Sequence, residues 1–204
     1  MAEKKVRAAV FASGRGTNFG AIIQAAEKGK LPVELALLVS DKPACLAVKR
    51  ARKAKIRVCL VKRAHFSAKK DFEEQIIASL EENNIDLIVL AGFMRVLSPE
   101  FVSRYKNKIL NIHPSLLPAF KGTQAIKEAF DYGVKITGVT VHFVDELMDH
   151  GPIVLQAAVK IEKNESLKSL EAKIHKIEHQ LYPQAIKLFS ERLLKIKGRK
   201  VNII

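Results

Sequence analysis

Apolar residues in this chain fall into short unbroken runs, separated by longer stretches in which they recur every three or four positions. The first run is VRAAVFA, residues 6–12, and a glycine-rich turn ends it. NFGAIIQAAEKG then has helical spacing and closes on Gly29. Residues 33–40, VELALLVS, are again almost wholly apolar. ACLAVKRARKAK reads as a helix and RVCLVK as a short strand. SAKKDFEEQIIASLEENN is an amphipathic helix with Phe72, Ile76, Ile77 and Leu80 on one side. DLIVLAGF, residues 86–93, is another buried run. SPEFVSRYKN predicts a helix with Ser98 as N-cap and Pro99 in its first turn. KILNIHP is the next strand.

Strands and helices thus alternate five times, and the strands are apolar on both faces. That pattern predicts a parallel sheet covered on both sides. Beyond residue 134 it changes. KITGVTVHFV and GPIVLQAAVKI predict two longer strands joined by DELMDH, an antiparallel pair at the far end of the sheet. ESLKSLEAKIHKIEHQLYPQAIKLFSERLLKIKG predicts a helix that Pro183 breaks or kinks. RKVNII is a final strand or a tail. There is no internal repeat, low-complexity segment or linker. The expected fold is one α/β domain over residues 1–204, doubly wound around a mostly parallel, Rossmann-like sheet.

Composition narrows the setting. At 204 residues, 48% hydrophobic and 27% charged, the chain suits a globular protein with a substantial core. No apolar run approaches the roughly 20 residues of a membrane helix. The start, MAEKKVRAAVFASG, is charged, and SGRG interrupts its apolar run where a signal peptide needs greasy residues. A cytoplasmic location is expected. Cys45 and Cys59 lack metal-ligand spacing, and a reducing compartment disfavours a disulfide, so both are expected as small core residues.

The net charge of +14 suits anionic partners, whether phosphates, polyglutamate tails or nucleic acid. The densest basic run, KRARKAKIR at 49–57, holds six Lys or Arg and no acid. It has no interleaved aromatics for base stacking, so it is expected as the solvated face of a helix.

Three stretches carry candidate chemistry. ASGRGTN, residues 12–18, lies between a strand and a helix. Its small residues Ser13, Gly14, Gly16 and Thr17 let backbone amides approach an anion, and the helix N-terminus adds partial positive charge. Phe19 stands where a dinucleotide fingerprint needs glycine, and a Walker lysine is absent, so a single phosphate is the natural ligand. A purely structural glycine turn is the alternative.

NIHPSLLPAF, residues 111–120, is the second. Asn111 and His113 alternate along a strand end, so both side chains point the same way. The carboxyl ends of strands are where doubly wound sheets bind ligands. Pro114 and Pro118 stiffen the exit. His113 and Asn111 can both donate to one developing oxyanion. A strand-end histidine bonded to its own backbone is the competing reading.

DELMDHG, residues 145–151, is the third. Asp149 precedes a His-Gly-Pro turn that can aim a carboxylate inward, where it would orient His113. His142 is expected as a packed strand residue. The spacings of His113, His142, His150 and the acids match no metal-ligand pattern.

FASGRGTN, LAGFMRVLS, NIHPSLLPAFKG, GVTVHFVDELMDHGPIVLQ and IEHQLYP, in that order, resemble the folate-dependent phosphoribosylglycinamide formyltransferase family nearly end to end. The resemblance implies transfer of the formyl group of 10-formyltetrahydrofolate to the amine of 5'-phosphoribosylglycinamide, giving 5'-phosphoribosyl-N-formylglycinamide and tetrahydrofolate in de novo purine biosynthesis. It implies Asn111, His113 and Asp149 as the catalytic group. Gly16, Thr17 and Asn18 would hold the ribonucleotide's phosphate, and Glu178 its sugar. Met94, Arg95, Val96 and Leu97 would line the folate pocket with Asp145, Glu146, Leu147 and Met148, and Lys69 matches a basic position near the folate.

By this reading residues 1–110 form a phosphate-binding half and 111–204 a catalytic and folate-binding half. The formyl donor is a co-substrate, and no metal is needed. The partners are the two small molecules, without nucleic acid or membrane, in a monomer or homodimer. Two departures stand out: Lys121 replaces a proline common in relatives, and TQAIKEAF lacks a histidine they often carry.

Methionyl-tRNA formyltransferases and formyltetrahydrofolate hydrolases share the formyl-transfer core. The former normally add a C-terminal RNA-binding domain and the latter an N-terminal regulatory one. At 204 residues, starting directly on its first strand, the chain is expected to hold neither. A third alternative is a binding protein that has lost catalysis.

Overall fold

The computed structural model describes residues 5–204. The charged start lies outside the described residues for positions 1–4. A nine-stranded sheet forms the centre of the molecule. Its strands are β1 (Val6–Phe11), β2 (Val33–Ser40), β3 (Arg57–Leu60), β4 (Leu87–Leu90), β5 (Ile109–His113), β6 (Ile136–Phe143), β7 (Ile153–Lys160), β8 (Leu194–Lys197) and β9 (Lys200–Ile203). They run in the order β3-β2-β1-β4-β5-β6-β7-β9-β8. Strands β1 to β5 run parallel to one another, and β6 is antiparallel to both β5 and β7.

Strand alternation sorts the core into two layers. Ala8, Val10 and Ala12 face a cluster built with Phe19 and Ile22 of α1 (Thr17–Glu27), Ala47 and Val48 of α2 (Leu46–Lys53), and Leu170, Ile174 and Ile186 of the last helix. Ala9 and Phe11 face Phe72, Ile76 and Leu80 of α3 (Lys69–Glu82) and Phe101 and Val102 of α4 (Pro99–Arg104). A strand buried on both sides reads as unbroken hydrophobicity, which is why the parallel half was visible as runs. Ser98 caps α4 as expected: its hydroxyl accepts the Phe101 amide at 3.1 Å, with Pro99 at the first position. The basic run is solvated on α2, with Ala47, Val48 and Ala51 turned inward and Lys49, Arg50, Arg52 and Lys53 outward. Both cysteines are free and half-buried against the core.

A short helix, α5 (Ala125–Tyr132), precedes β6, and the long helix α6 is Leu167–Ser190. Two expectations change in the C-terminal part. The helix expected to run to residue 198 stops at Ser190; Arg192 takes a positive φ of 57°, and LKIK then alternates as strand β8. A two-residue turn, Gly198-Arg199, returns the chain into β9, with Gly198 at φ 60° in the position such turns reserve for glycine. This hairpin, not the β6–β7 pair, is the far edge of the sheet.

The second change is that α6 is continuous through Pro183. Proline removes a helical amide, but the preceding residue is held from outside. Tyr182 is fully buried, and its hydroxyl lies 2.8 Å from the Leu90 carbonyl and 2.9 Å from that of Leu110. Tertiary packing thus overrides the local preference to break. No helix among the described residues is long and apolar enough to cross a membrane.

Candidate active site

The sheet order reverses between β1 and β4, and the polar residues singled out from the sequence gather at the carboxyl ends beside that point. On β5, Asn111 pairs across the antiparallel ladder with His142, and His113 with Thr140. Asn111 Nδ2 comes to 3.1 Å from His142 Nε2. His142 Nδ1 lies 2.8 Å from the Phe143 carbonyl, which only accepts, so Nδ1 carries the proton. Burial pushes the His142 pKa below its ordinary 6.5, against the opposing pull of that carbonyl and of Asp149. The ring is neutral, and its Nε2 lone pair receives an amide proton from Asn111. His142 is therefore more than the packed strand residue expected from sequence: it sets which way the Asn111 amide faces.

His113 is buried with an oxygen at each ring nitrogen. Nε2 donates to the Phe120 carbonyl at 2.7 Å, and Nδ1 lies 3.4 Å from Asp149 Oδ2. The same Asp149 oxygen accepts the Gly122 amide at 2.9 Å, and the other lies 3.8 Å from His142 Nε2. His113 and Asp149 therefore meet, as the spacing alone could not establish, and His142 stands between Asp149 and Asn111. Phe120 and Asp149 hold positive φ values of 49° and 48°. The left-handed region costs a non-glycine residue about 1–2 kcal/mol, so both ends of this contact are held by their surroundings.

The turn after His113 is fixed by β6 and β7. Thr140 donates its hydroxyl to the Ser115 carbonyl at 2.7 Å and accepts the Leu117 amide at 3.1 Å. Gln156 Nε2 reaches the Leu117 carbonyl at 3.0 Å. Gly138 on β6 admits this turn closely, since a Cβ there would fall 2.6 Å from Leu116 Cδ2. Lys121 is exposed, and TQAIKEAF supplies most of α5.

On the other side of the reversal, Gly16 starts α1 at φ 63° without a side-chain cap. The first amides of the helix are left without intrahelical partners, as an anion requires. Only glycine fits here: a Cβ would stand 2.9 Å from Ala47 Cβ. Thr17 and Asn18 open the helix, and Asn18 Nδ2 donates to Glu178 Oε2 at 3.1 Å. Glu178, buried on α6, also accepts from His175 Nδ1 at 2.8 Å, and that hydrogen bond raises the His175 pKa. Residues 160 positions apart are thus brought together.

The remaining candidates fall in two segments, 94–97 and 145–148, and at Lys69. Met94, Val96, Leu147 and Met148 are 61–74% exposed, and such large apolar side chains left in water suit a flat organic ring. Leu97 differs: its side chain is packed into the core beside Phe101. Asp145 accepts from His150 Nδ1 at 2.7 Å, and Glu146 is exposed. Lys69 is exposed at the start of α3, its Nζ 3.9 Å from Glu73. Glu73 accepts the backbone amide of Ser98 at 2.8 Å, which ties that helix to the end of the 94–97 segment.

Arg95 Nε donates to Asp41 Oδ2 at 2.8 Å, and Asp41 Oδ1 receives the Ser13 hydroxyl at 2.5 Å. Burial works to raise the Asp41 carboxyl, but the hydrogen bonds from Ser13 and Arg95 and the Arg95 charge outweigh it and hold it below its usual range. Sequence reading missed Asp41; its only signal is its place just past the end of β2. Among the described residues no cluster of His, Cys, Asp or Glu is arranged to hold a metal ion.

A glycine turn with free helix amides, an oriented amide and a buried imidazole–carboxylate pair at the mouth of a parallel sheet are parts suited to a group-transfer enzyme that stabilises an oxyanion. The chain belongs to the formyl transferase family, whose model matches residues 6–186. It is 45% identical over 179 residues to the phosphoribosylglycinamide formyltransferase of Bacillus subtilis, covering 88% of this chain and 92% of that protein. To the Haemophilus influenzae enzyme of the same name it is 42% identical over 189 residues, 93% of this chain and 89% of that one. The crystal structure of glycinamide ribonucleotide transformylase 1 from Symbiobacterium toebii superposes with a TM-score of 0.95 at 40% identity, covering 98% of this chain and 94% of that chain.

Proposed function

We propose that Asn111, His113 and Asp149 carry formyl transfer from 10-formyltetrahydrofolate to the amine of 5'-phosphoribosylglycinamide. The products are 5'-phosphoribosyl-N-formylglycinamide and tetrahydrofolate, and the step belongs to de novo purine biosynthesis. The single observation that carries this reading is the buried His113–Asp149 pair, 3.4 Å apart, with Asn111 joined to it through His142.

The donor supplies an activated formyl carbon, and attack by the ribonucleotide's amine puts negative charge on the formyl oxygen. Asn111 offers its second amide hydrogen to that oxygen, the first being held by His142. His113 offers a charged donor. The Phe120 carbonyl occupies Nε2 until an oxyanion, a better acceptor, takes its place. Asp149 balances the imidazolium and accepts a proton as the attacking amine loses it and the leaving nitrogen gains one.

Gly16, Thr17 and Asn18 hold the phosphate, and Glu178 reaches the ribose. The folate ring lies on Met94, Val96, Leu147 and Met148, with Arg95, Leu97, Asp145 and Glu146 completing the pocket and Lys69 near the donor's acidic tail. Residues 1–110 supply the phosphate site and 111–204 the catalytic group and part of the folate site, although Lys69, Met94, Arg95, Val96, Leu97 and Glu178 cross that division. The enzyme works in the cytoplasm on these two small molecules, as a monomer or homodimer.

The test is an absorbance assay of folate product with and without the ribonucleotide. Product that requires the ribonucleotide supports the transferase; product without it indicates a hydrolase.

A further inference from the structure

A side chain of the C-terminal hairpin touches the 145–150 loop. Arg199 sits in the turn between β8 and β9. Its Nη2 donates to the His150 backbone carbonyl at 2.7 Å. Its Nη1 lies 2.9 Å from His150 Nε2 and 3.2 Å from Nδ1, so the guanidinium lies against the imidazole as a whole. The Nδ1 of that imidazole also meets Asp145, at 2.7 Å. One guanidinium therefore holds the residue immediately after Asp149, and through its ring the residue that begins the loop.

The surroundings make this contact a fixed point. Strand β9 joins β7 through a single pairing, Ile153 with Lys200, next to Arg199 and three residues beyond His150. Gly151 passes so close to the Phe143 carbonyl that a Cβ would fall 1.9 Å from it, and the Phe143 amide donates to the Pro152 carbonyl at 2.8 Å. The base of the loop is thus clamped, while Glu146, Leu147 and Met148 project into solvent. Between clamp and tip, Asp149 must hold its left-handed φ and keep its carboxylate toward His113. The Gly122 amide restrains it from one side and the Arg199 grip on His150 from the other.

We propose that Arg199 is a positioning residue: it latches the 145–150 loop from the far edge of the sheet and so presents Asp149 to His113 and the apolar loop tip to the folate. The latch rests on the formyl-transfer reading for its effect on turnover but not for its effect on the loop.

The test uses the full chain with Arg199→Ala and Arg199→Lys. Arg199→Ala should raise KM for the formyl donor about fivefold to tenfold, as loss of an exposed charge-assisted contact does. KM for the ribonucleotide and the melting temperature should stay near the parent values. Arg199→Lys keeps a donor for the carbonyl and should recover part of the loss; added guanidinium ion should recover part of it in Arg199→Ala. Unchanged donor KM, or equal loss for both substrates with a lowered melting temperature, would overturn the latch. Hydrogen exchange at residues 145–150 without substrates decides it independently of catalysis. Faster exchange in Arg199→Ala supports the latch, and identical exchange refutes it even if the parent proved to act on other substrates.

Discussion

Asn111 Nδ2 and His142 Nε2 stand 3.1 Å apart, directly opposite each other on antiparallel strands. Because His142 is neutral with its proton on Nδ1, the amide of Asn111 must turn its nitrogen toward the ring. Replacing His142 by alanine should free the amide to flip and lower kcat about tenfold or more, with either KM little changed. His142→Gln, which keeps an acceptor, should retain more turnover than His142→Ala. Steady-state kinetics of the two variants against the parent checks this.

The same residue gives a stability signature. Its folded-state pKa lies below the ordinary 6.5, so the unfolded chain takes up a proton first on acidification. Its contribution is whole above that value and is lost as pH falls through it. The melting temperature should drop between about pH 7 and about pH 5, and His142→Asn should flatten that part of the curve. Thermal melts across the range would show an unchanged slope if the buried ring were not responsible.

Asn111→Ala and His113→Ala should each cut kcat by about 100- to 1,000-fold, the usual cost of a lost oxyanion donor. Asp149→Asn should also be severe, because an amide cannot balance the imidazolium. Calorimetry should find ribonucleotide binding intact in all three. Near-parental turnover in any of them would remove that residue from the catalytic group.

Gly16→Ala meets two obstacles at once: a left-handed φ and a Cβ 2.9 Å from Ala47. The first alone costs about 1–2 kcal/mol. The variant should melt several degrees lower and bind inorganic phosphate and ribonucleotide more weakly. Gly14→Ala, with nothing within 4 Å of its Cβ position, should leave the melting temperature alone.

Glu178→Gln keeps the shape but removes the negative charge that accepts from both Asn18 and His175 at one oxygen, and leaves a donor where the second carboxylate oxygen stood. It should raise KM for the ribonucleotide about tenfold and leave the donor KM near its parent value. Loss confined to the donor would reverse the assignment of the two subsites.

Much of this architecture was legible because parallel strands buried on both faces advertise themselves. Asn111 and His113 were legible for a related reason: a polar pair ending an apolar run has no packing role there. The roles of His142 and Asp41 were not, since each depends on a partner across the sheet: Asn111 for one, Ser13 and Arg95 for the other. The end of α6 was misjudged because LLKIK carries enough leucine and lysine to continue a helix, and only the pairing of β8 with β9 makes it a strand. At Pro183 the break, one of the two outcomes expected, does not occur, since Tyr182 anchors the helix there through carbonyls on two distant strands.

Asp41 joins Ser13, in the turn before α1, to Arg95, in the 94–97 segment. On the proposed assignment a single carboxylate would serve the acceptor's pocket and the donor's pocket alike. Anyone redesigning this scaffold for a different formyl acceptor will find that the two specificities do not exchange as separate modules. Altering the turn around Ser13 releases a charge that Arg95 must answer, and retuning Arg95 shifts the ground beneath the phosphate. Laboratory evolution of either preference should accordingly accumulate paired changes across this bridge.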